Sequence, residues 1–137
     1  AEIGAHISGV EFNTHNTSHI LRAAQEGIVF ALKYSLDIME GMGVQASRVK
    51  AGKANMFLSP IFRETFANTT SATIELYDTD GAAGAARGAG IGSREYNDPE
   101  EAFAHLQQID QIEPESNKQA AYAEAYSQWL TELKKHL

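Results

Sequence analysis

The stretch spanning residues 48–92 constrains the fold more than any other part of the sequence. Residues 48–51 form a short β-favouring run that ends on Gly52. Residues 72–77 form a second run, in which β-branched and large apolar residues alternate with polar ones. Between them, residues 55–68 carry Phe62 and Phe66, with Phe57 nearby, on an inward face, and Pro60 is placed for a first helical turn. Asp78-Thr79-Asp80-Gly81 then reads as a turn, and residues 81–92 as a helix made almost wholly of Ala and Gly. Small residues thus gather at the ends of two neighbouring strands. There a ligand has bare backbone to lie against.

The flanks extend the pattern. Residues 3–12 alternate with period two from Ile3 to Phe12 and predict a strand. A polar loop follows, and Thr17 or Ser18 is expected to cap a helix over residues 18–41. Leu21, Ala24, Ile28, Ala31, Leu32, Ser35 and Met39 share one stripe of that helix, widened by Phe30, Tyr34 and Ile38. Burial on more than one side is therefore expected. Gly27 costs roughly 1 kcal/mol against Ala in mid-helix, which implies a close neighbour. Downstream, Asp98 and Pro99 open a short helix with Ala102, Phe103 and Leu106 on its buried face. Residues 109–113 read as an extended linker. A last helix begins at Pro114 and carries Tyr122, Tyr126, Trp129, Leu130, Leu133 and Leu137 on one stripe.

The order β-α-β-α-β-α, closed by C-terminal helices, implies an α/β layered fold. Three strands make a thin sheet, which must borrow strands from elsewhere or pair with a second copy, giving a homodimer. The 137 residues fit one domain, residues 1–137. A net charge of −7 argues against a nucleic-acid surface, because phosphate neutralisation needs clustered cations. The absence of cysteine rules out a disulfide framework and thiolate chemistry. No run approaches the ~20 apolar residues of a membrane span, and no secretory leader is visible. A cytoplasmic protein is expected.

Several residues invite a chemical reading. The Gly52-Lys53-Ala54-Asn55 turn, leading from strand to helix, offers N–H groups suited to phosphate or ribose oxygens. It matches neither a dinucleotide fingerprint nor a P-loop, so a plain turn with Asn55 as helix cap is the competing reading. In the Ala/Gly helix, Gly81 and Gly84 either admit an adenine ring or serve close helix packing. Asp78 and Asp80 are spaced for acid–base work or Mg²⁺, but turn formation is the commoner use of such a pair. His15 and His19 lack the spacing of two ligands on one helical face.

Four segments, in order, resemble the C-terminal domain of the FGGY family of carbohydrate kinases, and its xylulose kinases most closely. His15-Asn16-Thr17-Ser18-His19, followed by Arg22-Ala23-Ala24-Gln25-Glu26-Gly27, is similar to that family's histidine loop and following helix. Gly52-Lys53-Ala54-Asn55-Met56-Phe57-Leu58 resembles its adenosine-binding segment, and Asp80-Gly81-Ala82-Ala83-Gly84-Ala85-Ala86 its later glycine-alanine segment. Pro114, Tyr122, Tyr126 and Trp129 resemble its closing aromatic helix.

The resemblance implies part of an actin-like (ribonuclease-H-like) ATPase domain. It also implies an ATP- and Mg²⁺-dependent transfer of phosphate to a sugar, with D-xylulose as acceptor, or glycerol, ribulose or gluconate in related members. Gly52, Ala54 and Asn55 would hold the ribose and phosphate side, and Gly81 and Gly84 the adenine. Lys53 would either reach a phosphate or face solvent. The family's run of glycines is reduced here to Gly52, between Ala51 and Lys53. The sugar-binding N-terminal domain and the catalytic carboxylate lie ahead of this segment in the family. No catalytic and no metal-binding residue is therefore assigned, and the segment is expected to be inactive alone. A non-catalytic α/β module dimerising through its sheet edge is the rival reading.

Overall fold

The computed structural model describes residues 4–136. The elements are α1 (Thr17–Gly41), β1 (Arg48–Gly52), α2 (Pro60–Thr70), β2 (Thr73–Tyr77), α3 (Gly81–Gly92), α4 (Pro99–Phe103), β3 (Gln108–Ile112) and α5 (Ser116–Lys134). A short 3-10 turn, Asn55–Leu58, precedes α2. The sheet order is β1-β2-β3. β1 and β2 run parallel, from Arg48 beside Thr73 to Gly52 beside Tyr77, with α2 as the crossover. β3 is antiparallel to β2, with Ile112 beside Ile74 and an irregularity between Leu76 and Tyr77.

The core lies on one face of this sheet. Alternation along β2 turns Ile74 and Leu76 to the same side, and both are fully buried. They meet Phe62, Phe66 and Ala67 of α2 and Val29 of α1, with Val49, Ala51 and Ile112 at the margin. Phe57, in the 3-10 turn, packs edge-to-face on Phe62 with ring centroids 5.3 Å apart. α2 starts where Ser59 caps it, its Oγ accepting from the Phe62 N–H, and Pro60 occupies the first turn. On the opposite face, Glu75 is buried. It accepts from Arg48 at 2.6 Å and from the Tyr77 hydroxyl at 2.9 Å.

Several sequence expectations are corrected. Residues 4–11 form no strand, and Ile3 lies outside the described residues. Gly4 and Gly9 take left-handed φ values of 73° and 72°, and no described strand pairs with the segment. The third strand is instead 108–112, overlapping the stretch 109–113 read as a linker. It is an exposed edge strand held by backbone pairing to β2, so it carries no burial pattern to read. The cap of α1 is Asn16, whose side chain accepts from Ser18 and His19 while His19 Nδ1 accepts from the Asn16 N–H.

A further correction concerns the faces of α1. Its buried residues are Val29 and Phe30. The expected stripe lies in the open, with Leu21 59%, Ile28 46%, Leu32 43% and Met39 40% exposed. Periodicity tells which side chains share a face, not whether a partner covers it. Gly27 is not forced either, because an added Cβ would sit 4.0 Å from Trp129 Nε1, an ordinary contact.

α5 packs its aromatic stripe on α1 and α2. Tyr122 is buried, and Tyr126 and Trp129 lie 5.7 and 6.2 Å from the Phe30 ring. Leu137 lies outside the described residues. In the short helix before β3, Ala102 is buried but Phe103 is exposed.

Glu64 ties the three helices together. It accepts from Tyr122 at 2.8 Å and Lys118 at 3.1 Å, with Arg22 at 3.7 Å. The Tyr122 hydrogen bond, then Lys118 and Arg22, hold its carboxyl below the usual range against the effect of partial burial. A depressed carboxylate contributes stability above its unfolded pKa of about 4.3 and loses it as pH falls through the lower folded value. Thermal melts below pH ~4 are therefore expected to fall more steeply for the native chain than for Glu64→Gln. Equal acid limbs would contradict this role.

Candidate functional site

The parallel pair β1–β2 ends where the small residues gather. Residues following both strands, Lys53, Ala54, Asn55, Asp78, Thr79 and Asp80, line a cleft of about 420 Å³, closed on the α3 side by Ala83 and Arg87. A position beyond the carboxyl ends of parallel strands is where open α/β sheets place ligands.

Local chemistry fixes each wall. Gly52 closes β1, and an added Cβ there would stand 2.3 Å from the Thr79 carbonyl oxygen. Its lack of side chain therefore serves contact between the two strand ends. The Lys53 N–H donates to the Tyr77 carbonyl and the Ala54 N–H to the Gly52 carbonyl. These donors, expected to be free for a phosphate, are taken by the turn itself. Asn55 has φ 52°, a left-handed conformation that Asn tolerates better than most residues. It begins the 3-10 turn rather than capping α2. Among the described residues no hydrogen bond engages its side-chain amide.

Asp80 caps α3, its Oδ1 accepting from the Ala83 N–H at 2.8 Å. The turn reading of this carboxylate is thus met in the structure. Asp80→Ala is expected to cost about 1 kcal/mol through the lost cap, read by urea denaturation. No measurable change would contradict the cap.

Along α3 the glycines divide. At Gly81 and Gly84 an added Cβ meets nothing within 4 Å. At Gly90 it would strike the Tyr96 ring at 2.7 Å. Gly88 and Gly92 are as open as Gly81 and Gly84, so among the glycines of α3 close packing explains Gly90 alone. Ala54 and Asn55 line the cleft. Gly52 sits behind it, under Thr79, and Gly81 and Gly84 lie on the helix that walls it.

Sequence reasoning missed Arg87. Its Nη1 donates to Thr79 Oγ1 at 3.0 Å, and its guanidinium carbon lies 6.0 Å from the Phe103 ring centroid. It follows Gly84 by three residues, so extending the glycine spacing by one helical turn would have found it. His15 and His19 each accept a backbone N–H through Nδ1, from Glu11 and Asn16. Among the described residues no group of three His, Asp or Glu is placed to hold a metal, and no helix is long and apolar enough to cross a membrane.

A second hollow of about 250 Å³ lies between α2 and β3, beside Arg63, Asn68 and Asp110. Arg63 pairs with Asp110 at 3.0 Å, and Asn68 accepts from the Glu115 N–H. The Arg63 Nε is buried there without a hydrogen-bond partner among the described residues, but of the two hollows it is the cleft beyond β1 and β2 that lies past the carboxyl ends of the parallel strands.

No protein-family model and no curated protein matches the sequence. Solved structures do match. The chain superimposes on xylulose kinase from Rhodospirillum rubrum with a TM-score of 0.75 at 20% identity, covering 93% of this chain and 26% of that one. For a kinase from Brucella ovis named as xyloylose kinase, the TM-score is 0.74 at 26% identity, covering 90% and 26%. For ligand-bound xylulose kinase from Lactobacillus acidophilus it is 0.69 at 18% identity, covering 90% and 25%. These neighbours are FGGY-family kinases, and the shared architecture is the C-terminal part of their actin-like ATPase fold. The chain spans about a quarter of the length of the structures it matches.

Proposed function

We propose that this chain is the nucleotide-side portion of an ATP-dependent sugar kinase of the FGGY kind, with D-xylulose as the acceptor. The observation that carries this reading is the cleft beyond the parallel strand ends, walled by the helix that carries Gly81 and Gly84. In it the adenine lies along the start of α3, where Gly81 and Gly84 carry no side chain. The ribose meets Ala54 and the free amide of Asn55. Gly52 acts indirectly, by letting the Thr79 turn close against β1. With the Lys53 and Ala54 N–H groups engaged by carbonyls, side chains rather than turn backbone meet the phosphates.

Mg²⁺ would arrive on the phosphates and supply charge neutralisation during transfer. The described residues offer it no three-ligand group of their own. Its remaining ligands, the sugar contacts and the carboxylate base belong to an N-terminal kinase domain not present in these 137 residues. What this chain does is bind and orient the nucleotide, which is much of catalysis in phosphoryl transfer.

Two results test the reading. The 137-residue chain should bind ADP weakly yet release no ADP from ATP when D-xylulose is added. Gly84→Leu should abolish binding while leaving the melting temperature near that of the native chain, because space at Gly84 is open. Sugar-dependent ADP release by the chain alone, or unchanged ADP binding by Gly84→Leu, would overturn it.

A second reading has its own observation. The outer edge of β1 carries no strand among the described residues, and the apolar stripe of α1 is exposed. A non-catalytic module dimerising at that edge would show a concentration-dependent dimer and no ADP binding. Kinases for glycerol, ribulose or gluconate share the first reading and differ in sugar contacts outside this chain.

A further inference from the structure

The cationic groups of this chain are unevenly satisfied. Of eleven Lys and Arg residues, Arg22, Lys33, Arg48, Arg63, Lys118 and Lys135 lie within ion-pair distance of a carboxylate. Arg87 is half-buried, and among the described residues it has no carboxylate partner. Asp78 and Asp80 line the same cleft, yet neither forms an ion pair with it. Asp80 spends one oxygen on the α3 cap. A guanidinium carries five N–H donors, and here one is given to Thr79. Phe103 supports one side of the group. A partly desolvated cation without counter-charge is costly, and in a chain of net charge −7 carboxylates are abundant. Its position in the cleft wall gives that cost a use.

We propose that Arg87 is the residue through which the cleft takes the phosphate chain of its nucleotide. Lys53, exposed on the facing wall and also without a carboxylate partner among the described residues, adds a second charge. Thr79 and Phe103 hold the Arg87 side chain before the ligand arrives, so little side-chain freedom is lost on binding. The turn around Gly52 has no N–H of Lys53 or Ala54 left for this task. The inference rests on the nucleotide reading for the identity of the ligand, but not for the existence of the anion site.

The test follows amide and Arg Nε–H signals of the 137-residue chain by NMR, titrated with adenosine, ADP and pyrophosphate. Adenosine should move Gly81 and Gly84, pyrophosphate should move Arg87, and ADP should move both sets. Arg87→Gln should weaken ADP about tenfold or more, the scale of a hydrogen bond to a charged group, and leave adenosine unchanged. Arg87→Lys, which keeps the charge, should recover part of the loss; a mere loss of α3 packing would not be rescued this way. Pyrophosphate leaving the Arg87 signal in place would overturn the inference. So would Arg87→Gln lowering adenosine and ADP equally, or neither. If adenosine moves nothing while pyrophosphate still moves Arg87, the nucleotide reading falls and the anion site stands.

Discussion

Phe62→Ala is expected to destabilise the chain by about 3–5 kcal/mol, the range for deleting a buried aromatic. Phe62 is 2% exposed and sits where α2 meets the sheet, between Phe57 and Phe66, with Ile74 and Leu76 in the same cluster. Its removal takes away both the burial of a ring and its edge-to-face partner, and the β-sheet behind it cannot collapse into the space. Domains of this size are stable by roughly 5–15 kcal/mol, so the loss is a large fraction of the total. Urea denaturation should show a much lower midpoint. Leu32→Ala, on the exposed face of α1, should shift stability by no more than about 0.5 kcal/mol. A Phe62→Ala effect as small as that of Leu32→Ala would place the core elsewhere.

Gly52→Ala is expected to cost about 1–3 kcal/mol, the range for overpacking a close contact. Its Cβ would stand 2.3 Å from the Thr79 oxygen and 3.0 Å from the Thr79 carbonyl carbon. Both atoms are backbone, so no side chain can rotate away. The turn is also pinned, by the Lys53 N–H on Tyr77 and by the Asp80 cap. Gly52 is not among the residues with positive φ, so the cost comes from contact rather than from backbone conformation. Gly84→Ala should do the opposite and gain up to about 1 kcal/mol, since its site is open and helical. Paired melts of the two variants check the argument. Equal behaviour of Gly52→Ala and Gly84→Ala would contradict it.

The βαβ unit was legible because its signals are local and agree with one another. Val49 and Ala51, Ile74 and Leu76 alternate, Phe62 and Phe66 keep helical spacing, and glycine marks the strand end. β3 was not legible, since Gln108, Ile109, Asp110, Gln111 and Ile112 lie on an exposed edge and are strand only through pairing with β2. Residues 4–11 failed in the opposite way, showing alternation without a sheet to pair with. The stripe of Leu21, Ile28, Leu32 and Met39 was a true face read with the wrong environment.

At the site, sequence found where the small residues gather, and the resemblance is the ground for proposing that they meet a nucleotide. It did not separate Gly52, which is bare for the protein's own Thr79, from Gly81 and Gly84, which are bare toward open space. The helical spacing from Gly84 reaches Arg87, but not its surroundings: Thr79, Phe103 and, among the described residues, no carboxylate partner.

The most direct measurement is an amide NMR titration of the 137-residue chain with ADP, mapped on the structure. Shifts should concentrate at Ala54, Asn55, Gly81 and Gly84, extend to Gly52 through the Thr79 turn, and leave Asn68 and Asp110 beside the second hollow unmoved. Shifts confined to that second hollow, or none at Gly81 and Gly84 at saturating ADP, would contradict the assignment of this cleft as the nucleotide wall of a sugar kinase.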